Sequence, residues 1–293
     1  MLPLIERFEN DMKLSIYTSI RNGIRFDFHI VDMLKHHLPL ADEIIVNEGY
    51  STDGTYEAIK GLHTKIKIYR NYWDTSDPKT WHSKFKNDAR KLCSGDWCLL
   101  LDSDEFVPEW EFAEIRSFIT GTEETVASLS FINFYANYKL YHKQPEVLKW
   151  PAKKAVLHRN LPDIAVWGDG SNVGYTHRKA PIGEPVATCH HFGFVRNAAR
   201  LRQKWRMQHF MHGYGPKNKV RWDWVPGFVF DLLPYRWADP GILSYLAFYP
   251  GPYIKAVNDH PCEFVRDGFK TLELINTSGE RDKGSRALYR PGS

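Results

Sequence analysis

The sequence predicts an α/β fold, with a mostly parallel sheet flanked by helices and a helical or irregular, aromatic-rich C-terminal extension. Within residues 14–105, strand-like and helix-like segments alternate at short spacing, which calls for parallel βαβ units with right-handed crossovers. The strand-like runs are nearly all apolar, as in a sheet covered on both faces. Directly after the fourth run comes Asp102-Ser103-Asp104-Glu105, and such sheets bind ligands beyond the carboxyl ends of their strands.

The elements follow in order. Leu14 to Ile20 is β-branched and apolar, and Arg21-Asn22-Gly23 ends it. Phe26, Phe28, Ile30, Val31, Met33 and Leu34 make a helical face that stops before Pro39. Glu43 to Asn47 holds a short buried strand, and Ser51, Asp53 and Gly54 turn the chain. Ser51 or Thr52 is placed to cap the helix that carries Thr55, Ala58, Ile59 and Leu62. Lys65 to Tyr69 is a third strand, and Ser83 to Cys93 is a third helix with Phe85, Ala89 and Leu92 on one side. Asp96 to Leu101 is the fourth strand. A helix from about Trp110 to Ile119 precedes a long strand, Val126 to Tyr135, and irregular β structure to about Tyr175. Asn197 to Met211 reads as a basic amphipathic helix. Phe228 to Leu233 and Ile242 to Tyr249 suit packing on the main body or contact with a membrane surface.

Composition narrows the class. The 293 residues are 43% hydrophobic and 25% charged, as in ordinary globular proteins, and the net charge of +4 argues against nucleic acid as a partner. Charge is uneven, however. Phe192 to Trp222 holds eight Lys or Arg and no carboxylate, a stretch that attracts phosphates or lipid head groups. The ten Trp, fifteen Tyr and seventeen Phe fill a core or stack on bases and sugars. Cys93, Cys98, Cys189 and Cys262 lack metal-finger spacing and read as reduced thiols. With no signal-like start and no run of about 18 apolar residues, the expected location is cytoplasmic, with residues 196–250 as a peripheral membrane contact.

Three carboxylates at the end of a buried strand repel one another and require counter-charge. A hard cation with oxygen ligands, Mg²⁺ or Mn²⁺, meets that need and keeps positions open for substrate phosphates. At the tip of the second strand, Glu48 is placed to accept hydrogen bonds from a base or ribose.

Two segments together carry a resemblance. Glu43-Ile-Ile-Val-Asn-Glu-Gly-Tyr-Ser-Thr-Asp-Gly-Thr55, followed by Gly95-Asp-Trp-Cys-Leu-Leu-Leu-Asp-Ser-Asp-Glu105, resembles family 2 glycosyltransferases with the GT-A fold, a Rossmann-like sheet flanked by helices. Asn47-Glu48 stands where the family pattern has two acids, and Tyr50 is an added residue. Lys84-Phe-Lys-Asn-Asp-Ala89 is similar to the family's Ala-Arg-Asn stretch, with Lys86 in the arginine's place. His191-Phe-Gly-Phe-Val-Arg196, with Arg200 and Lys204 after it, is similar to a His-Tyr-Gly-Trp-Val-Arg segment of some members. His260-Pro261 resembles a C-terminal His-Pro pair, read as structural.

The resemblance implies a metal-dependent, inverting transfer from a nucleoside-diphosphate sugar, UDP-linked as the first choice, to a glycan or lipid-linked acceptor hydroxyl. It implies Asp102, Asp104 and His191 as metal ligands, with His190 as the rival histidine. Thr18 and Glu48 would hold the nucleoside, with Asp102, Lys86 and Arg196 at the diphosphate. Asp169 in Trp167-Gly-Asp-Gly170, about ten residues after Arg159, would be the catalytic base, with Asp163 and Glu184 as rivals. Residues 1–195 would form the catalytic domain, split into a nucleotide-sugar half at 12–120 and an acceptor half at 121–195. Residues 196–293 would pack on it as the extension. The alternatives are a nucleotidyltransferase, for whose Gly-rich phosphate loop Arg21-Asn22-Gly23 is too sparse, and a non-catalytic nucleotide-sugar-binding module.

Overall fold

The computed structural model describes residues 12–77, 80–135, 138–144, 151–196, 200, 201, 203, 204, 207 and 246–258. An open, mixed sheet of ten strands runs through the molecule, with a three-stranded sheet beside it. The N-terminal part is β1 (Leu14–Ile20), α1 (Ile30–His36), β2 (Glu43–Glu48), α2 (Thr55–Ile59), β3 (Ile66–Arg70), α3 (Trp81–Arg90) and β4 (Trp97–Leu100). Its strands lie in the order β3-β2-β1-β4, all parallel. Every residue of β2 and β4 is buried, which is why these strands read as unbroken apolar runs. The edge strand β3 instead alternates half-buried and exposed residues.

After β4 come β5 (Glu105–Phe106), a short 3₁₀ turn at Glu109–Glu111, α4 (Phe112–Gly121), β6 (Val126–Tyr135), β7 (Leu140–His142) and β8 (Lys153–Arg159). The last stretch holds β9 (Ile164–Trp167), β10 (Asn172–Tyr175), β11 (Arg178–Lys179), β12 (Pro185–Phe194) and β13 (Leu246–Phe248). β8 joins β4 and β6 antiparallel to both, so the sheet is mixed beyond β4. β12 then pairs parallel with β6 and antiparallel with β5, placing His191 opposite Asn133 on one side and Glu105 on the other.

Several expected boundaries move. α1 starts at Ile30 because Phe26 and Phe28 lie in a turn that includes positive-φ residues Asn22 and Asp27. Gly54, at φ 89°, sits at the start of α2 with no side-chain cap; Asp53 Oδ1 accepts from the Thr55 amide at 3.1 Å, and Ser51 Oγ accepts from the Asn22 amide at 2.8 Å. Residues 200, 201, 203, 204 and 207 are helical, as expected of the basic helix. Part of Ile242–Tyr249 is β13, paired with β7 within the main sheet and so packed on the body of the protein. Phe228–Leu233, His260-Pro261 and Cys262 lie outside the described residues.

Glu43 ties the bases of three strands together. Its Oε1 accepts from Ser15 Oγ at 2.7 Å and the Ser94 amide at 2.6 Å, and Lys67 Nζ donates to Oε2 at 2.6 Å. Next to it, Gly95 is fixed by close approach, since a Cβ there would sit 2.7 Å from the Lys13 carbonyl. Burial alone would raise the Glu43 pKa, but these donors pull it down to about 2. The unfolded chain therefore takes up this proton first as pH falls. Glu43 should stabilise the fold fully above its ordinary pKa of 4.5 and progressively less down to about pH 2. Glu43→Gln should cost about 1–3 kcal/mol in urea unfolding at pH 7, with the difference shrinking toward pH 2.

Candidate active site

A cavity of about 300 Å³ opens beyond the carboxyl ends of β1 and β4, where parallel sheets bind ligands. Its floor is Asp102, Ser103 and Asp104, at the turn between β4 and β5. The antiparallel pairing of β5 with β12 brings His191 to this acidic tip from far along the chain.

Each carboxylate of the tip meets a protein cation. Asp104 is 3% exposed, and its Oδ2 accepts from Arg196 Nη2 at 2.8 Å and Lys204 Nζ at 3.2 Å. Burial raises its pKa, yet Lys204, His191 and Arg196 together hold it well below the usual carboxylate range. Glu105 pairs with Lys154 at 2.8 Å, and its other oxygen accepts from the Asp102 amide at 2.8 Å. Burial raises Glu105 despite Lys154. Asp102, the most open of the three, pairs with Lys86.

Lys86 comes from α3 and also donates to the Gly170 carbonyl at 2.9 Å. On the same helix, Asn87 bonds both backbone groups of Val166 on β9. α3 thus anchors the β9–β10 hairpin, whose tip carries Asp169 into the cavity lining. Gly168 and Gly170 flank it at φ of 58° and 86°, values that suit glycine. Asp169 Oδ1 accepts from the amide and hydroxyl of Ser171. Burial raises its pKa, but Ser171, Lys86 and His82 lower it on balance, so it is a carboxylate at neutral pH. Of the three candidate bases, Asp169 lines the cavity, whereas Glu184 is exposed and pairs with Lys153 and Asp163 lies in the turn before β9.

His191 and His190 separate cleanly, because neighbours on a strand face opposite ways. His190 lies among Trp110, Phe134, Phe192 and Tyr249, with Nε2 3.2 Å from the Tyr249 hydroxyl. His191 lines the cavity, with Nε2 3.7 Å from Asp104 Oδ1. Its Nδ1 is 2.7 Å from Asn133 Oδ1, an acceptor only, so Nδ1 carries the proton and Nε2 the lone pair. Burial depresses its pKa to about 3 in spite of Asp104, leaving the ring neutral at physiological pH.

Two lone-pair donors therefore face each other across a gap with no proton between them. That gap fits a divalent cation held by few protein ligands, with Asp102 on the same floor. Among the described residues no compact group of three His, Cys, Asp or Glu is preassembled for a metal. The expected ligands thus share one cavity wall, but only Asp104 and His191 face each other directly.

Three expected contacts are corrected. Arg196 is fully buried behind Asp104, with Nη1 on the Phe26 carbonyl at 2.7 Å, so it orders the floor instead of reaching a phosphate. Glu48 is also fully buried outside the lining, its oxygens taken by the Ser51 amide at 2.6 Å and Arg70 Nε at 2.7 Å. Thr18 is fully buried outside the lining, and its neighbour Ser19 lines the cavity.

The structure also brings to the cavity residues that carried no assigned role in the sequence reading. Lys204 reaches the lining and Asp104 together; it follows Arg196 and Arg200 at successive four-residue steps, a helical spacing visible in the sequence. Trp73, Trp81 and His82 form an aromatic wall, with Trp73 stacked on Phe85 at 4.6 Å between ring centroids. Arg21, Asn22 and Arg25 complete the side beyond β1.

A family profile described as "Glycosyl transferase family 2" matches residues 30–200. The chain belongs to glycosyl transferase family 2. Solved structures similar to it match at low identity. S. aureus TarS in complex with UDP is 20% identical over 42% of this chain and 36% of its own, at a TM-score of 0.32. The Pyrobaculum calidifontis mannosyltransferase PcManGT, in complex with GDP-Man and Mn²⁺, is 13% identical over 76% of this chain and 70% of its own, at 0.41. Mycobacterium tuberculosis glucosyl-3-phosphoglycerate synthase, in complex with Mn²⁺, UDP and glucosyl-3-phosphoglycerate, is 16% identical over 42% and 44%, at 0.31. The chain thus spans about a third of the UDP-bound TarS chain. No curated protein sequence matches it significantly.

Because Asp104 sits buried between two cations, its removal has a structural cost. Asp104→Asn should lose about 3–5 kcal/mol of stability, since Arg196 and Lys204 would remain buried without their partner. Asp102→Asn, at the more open position, should lose much less. Chemical unfolding of the two variants side by side checks this, and equal stabilities would contradict it.

Proposed function

We propose that this family member is a glycosyltransferase that moves a sugar from a nucleoside-diphosphate sugar to an acceptor hydroxyl, with inversion at the anomeric carbon. The observation that carries this reading is the convergence, in one cavity, of Asp102 and Asp104, the unprotonated Nε2 of His191, the ammonium groups of Lys86 and Lys204, and the carboxylate of Asp169. A diphosphate leaving group needs positive charge, which Lys86 beside Asp102 and Lys204 beside Asp104 supply. An acceptor hydroxyl needs a base within reach, and Asp169 stands on a separate hairpin with a lowered pKa.

In the transfer, the acceptor oxygen bonds to the anomeric carbon while its proton passes to Asp169. The bond from that carbon to the diphosphate oxygen breaks, and its electron pair leaves with the diphosphate. Asp104 Oδ1 and His191 Nε2, with Asp102 beside them, would hold Mn²⁺ or Mg²⁺, which when bound offsets the charge of the diphosphate. Arg21, Asn22 and the aromatic wall of Trp73 and Trp81 would receive the nucleoside, the role expected of Thr18 and Glu48 from the sequence. Residues 12–120 would supply the donor half and 121–195 the acceptor half.

The acceptor is proposed to be a glycan or a lipid-linked sugar, and the enzyme a cytoplasmic one in peripheral contact with a membrane through residues 196–250. The basic stretch from Phe192 to Trp222 supports this part. Among the described residues no helix is long and apolar enough to cross a membrane. Co-sedimentation with anionic vesicles, lost at high salt, checks the contact.

Thermal-shift measurements with UDP and GDP, each with and without Mn²⁺, test the donor site. A shift that requires both nucleotide and metal is expected, with UDP the first candidate, and a shift indifferent to metal would contradict the ligand assignment. Asp169→Asn should lower kcat about 10²–10⁴-fold at an unchanged donor affinity. Undiminished turnover in that variant would place the base elsewhere.

A further inference from the structure

We infer that Asn133 and Gly193 are positioning residues that set the tautomer and orientation of His191, aiming its Nε2 lone pair at Asp104 Oδ1 and so tuning metal affinity. This inference rests on the metal reading above. Asn133 sits on β6 directly across the parallel pairing from His191. Its Oδ1 accepts the Nδ1 proton at 2.7 Å, whereas its Nδ2 is buried with no partner among the described residues. Only the oxygen of this amide is thus engaged. That bond leaves the other ring nitrogen unprotonated, 3.7 Å from Asp104 Oδ1. A ligating imidazole is commonly held through its second nitrogen in this manner, and loss of the holding group weakens binding about 10–100-fold.

Gly193 acts from the other side by having no side chain. A Cβ at this position would lie 2.3 Å from His191 Nε2 and 2.7 Å from Cε1, far inside contact distance. The imidazole therefore occupies the space that any larger residue at 193 would fill. Its backbone carbonyl also accepts from Lys204 Nζ at 3.0 Å, which ties the same residue to the second cation of the floor. One residue fixes which nitrogen holds the proton, and the other lets the ring lie where the free nitrogen meets the carboxylate.

The test compares the full chain with Asn133→Leu, Asn133→Asp, Gly193→Ala and His191→Ala. Mn²⁺ binding without nucleotide is read by titration calorimetry and by the Mn²⁺ paramagnetic signal. In parallel, ¹⁵N spectra of histidine-labelled, metal-free protein report the protonation of each ring nitrogen. The His191 signal is assigned by its loss in the alanine variant.

The unsubstituted chain should show an unprotonated Nε2 at His191. Asn133→Leu should lose that signature and weaken Mn²⁺ about 10–100-fold. Asn133→Asp, which keeps the accepting oxygen, should restore both. Gly193→Ala should weaken Mn²⁺ comparably by displacing the ring. Should Asn133→Leu fold too poorly to titrate, the Asp and Gly193 variants still decide: loss of the signature and of affinity in Asn133→Asp, or unchanged affinity in Gly193→Ala, would overturn the proposal. If His191→Ala weakens Mn²⁺ while Asn133→Leu leaves both tautomer and affinity unchanged, the proposal falls and the metal reading stands. If the unsubstituted chain and His191→Ala bind Mn²⁺ equally, or neither binds, the metal reading falls and takes this inference with it.

Discussion

Crowding three carboxylates at the end of β4, with Asp104 and Glu105 buried and Asp102 half-buried, is the constraint around which the rest of the site is arranged. Left unpaired in a low-dielectric interior, such groups would pick up protons or open the structure to water. The protein instead brings a cation to each, from segments far apart in sequence: Lys86 from α3, Lys154 from β8, and Arg196 with Lys204 from the chain after β12. Each pairing recruits a different element to the same point. Arg196 also grips the Phe26 carbonyl, so the turn after β1 is locked to the acidic floor. The cavity is therefore shaped by charge pairing as much as by apolar packing.

This arrangement changes the reason for expecting a metal. Repulsion among the acids is relieved by protein cations, so the fold needs no ion to keep the acids in place. The support for the proposed ion is narrower: Asp104 Oδ1 and His191 Nε2 lie 3.7 Å apart as lone-pair donors. Around the floor, three carboxylates meet four cations, which leaves an excess of positive charge before any ligand enters. An anionic ligand such as a diphosphate suits that balance.

Much of this was legible in the residues, because the strongest signals are local. The long strand from Val126 to Tyr135 and the β1, β2 and β4 runs are contiguous apolar segments, so their burial shows directly in the text of the chain. Asp102 and Asp104 were found by position, at the end of such a run. Contacts that depend on one residue of register or on distant partners were harder. Thr18 and Ser19 point to opposite faces of one strand, and only the true register decides which meets the ligand. Glu48 looked available because its partner Arg70 sits at the tip of the neighbouring strand, where Tyr50 and Tyr56 hold the guanidinium at 4.6 and 4.1 Å. Arg196 was recognised as important, but whether a cation faces a ligand or a buried acid is settled by depth, which no motif encodes.

The choice of an amide beside His191 follows from the same charge economy. A carboxylate at position 133 would hold the imidazole equally well and make its free nitrogen more basic. It would also add a negative group to a dry region where every existing carboxylate already needs its own cation. An asparagine fixes the proton without changing the count, at the smaller cost of one buried amide nitrogen without a partner among the described residues. On the proposed reading, in which the site gains a divalent ion and a diphosphate and then releases them, a neutral holder keeps the electrostatics set by the groups that meet the ligand. The pairing of β6 with β12 puts that holder in place through backbone register alone.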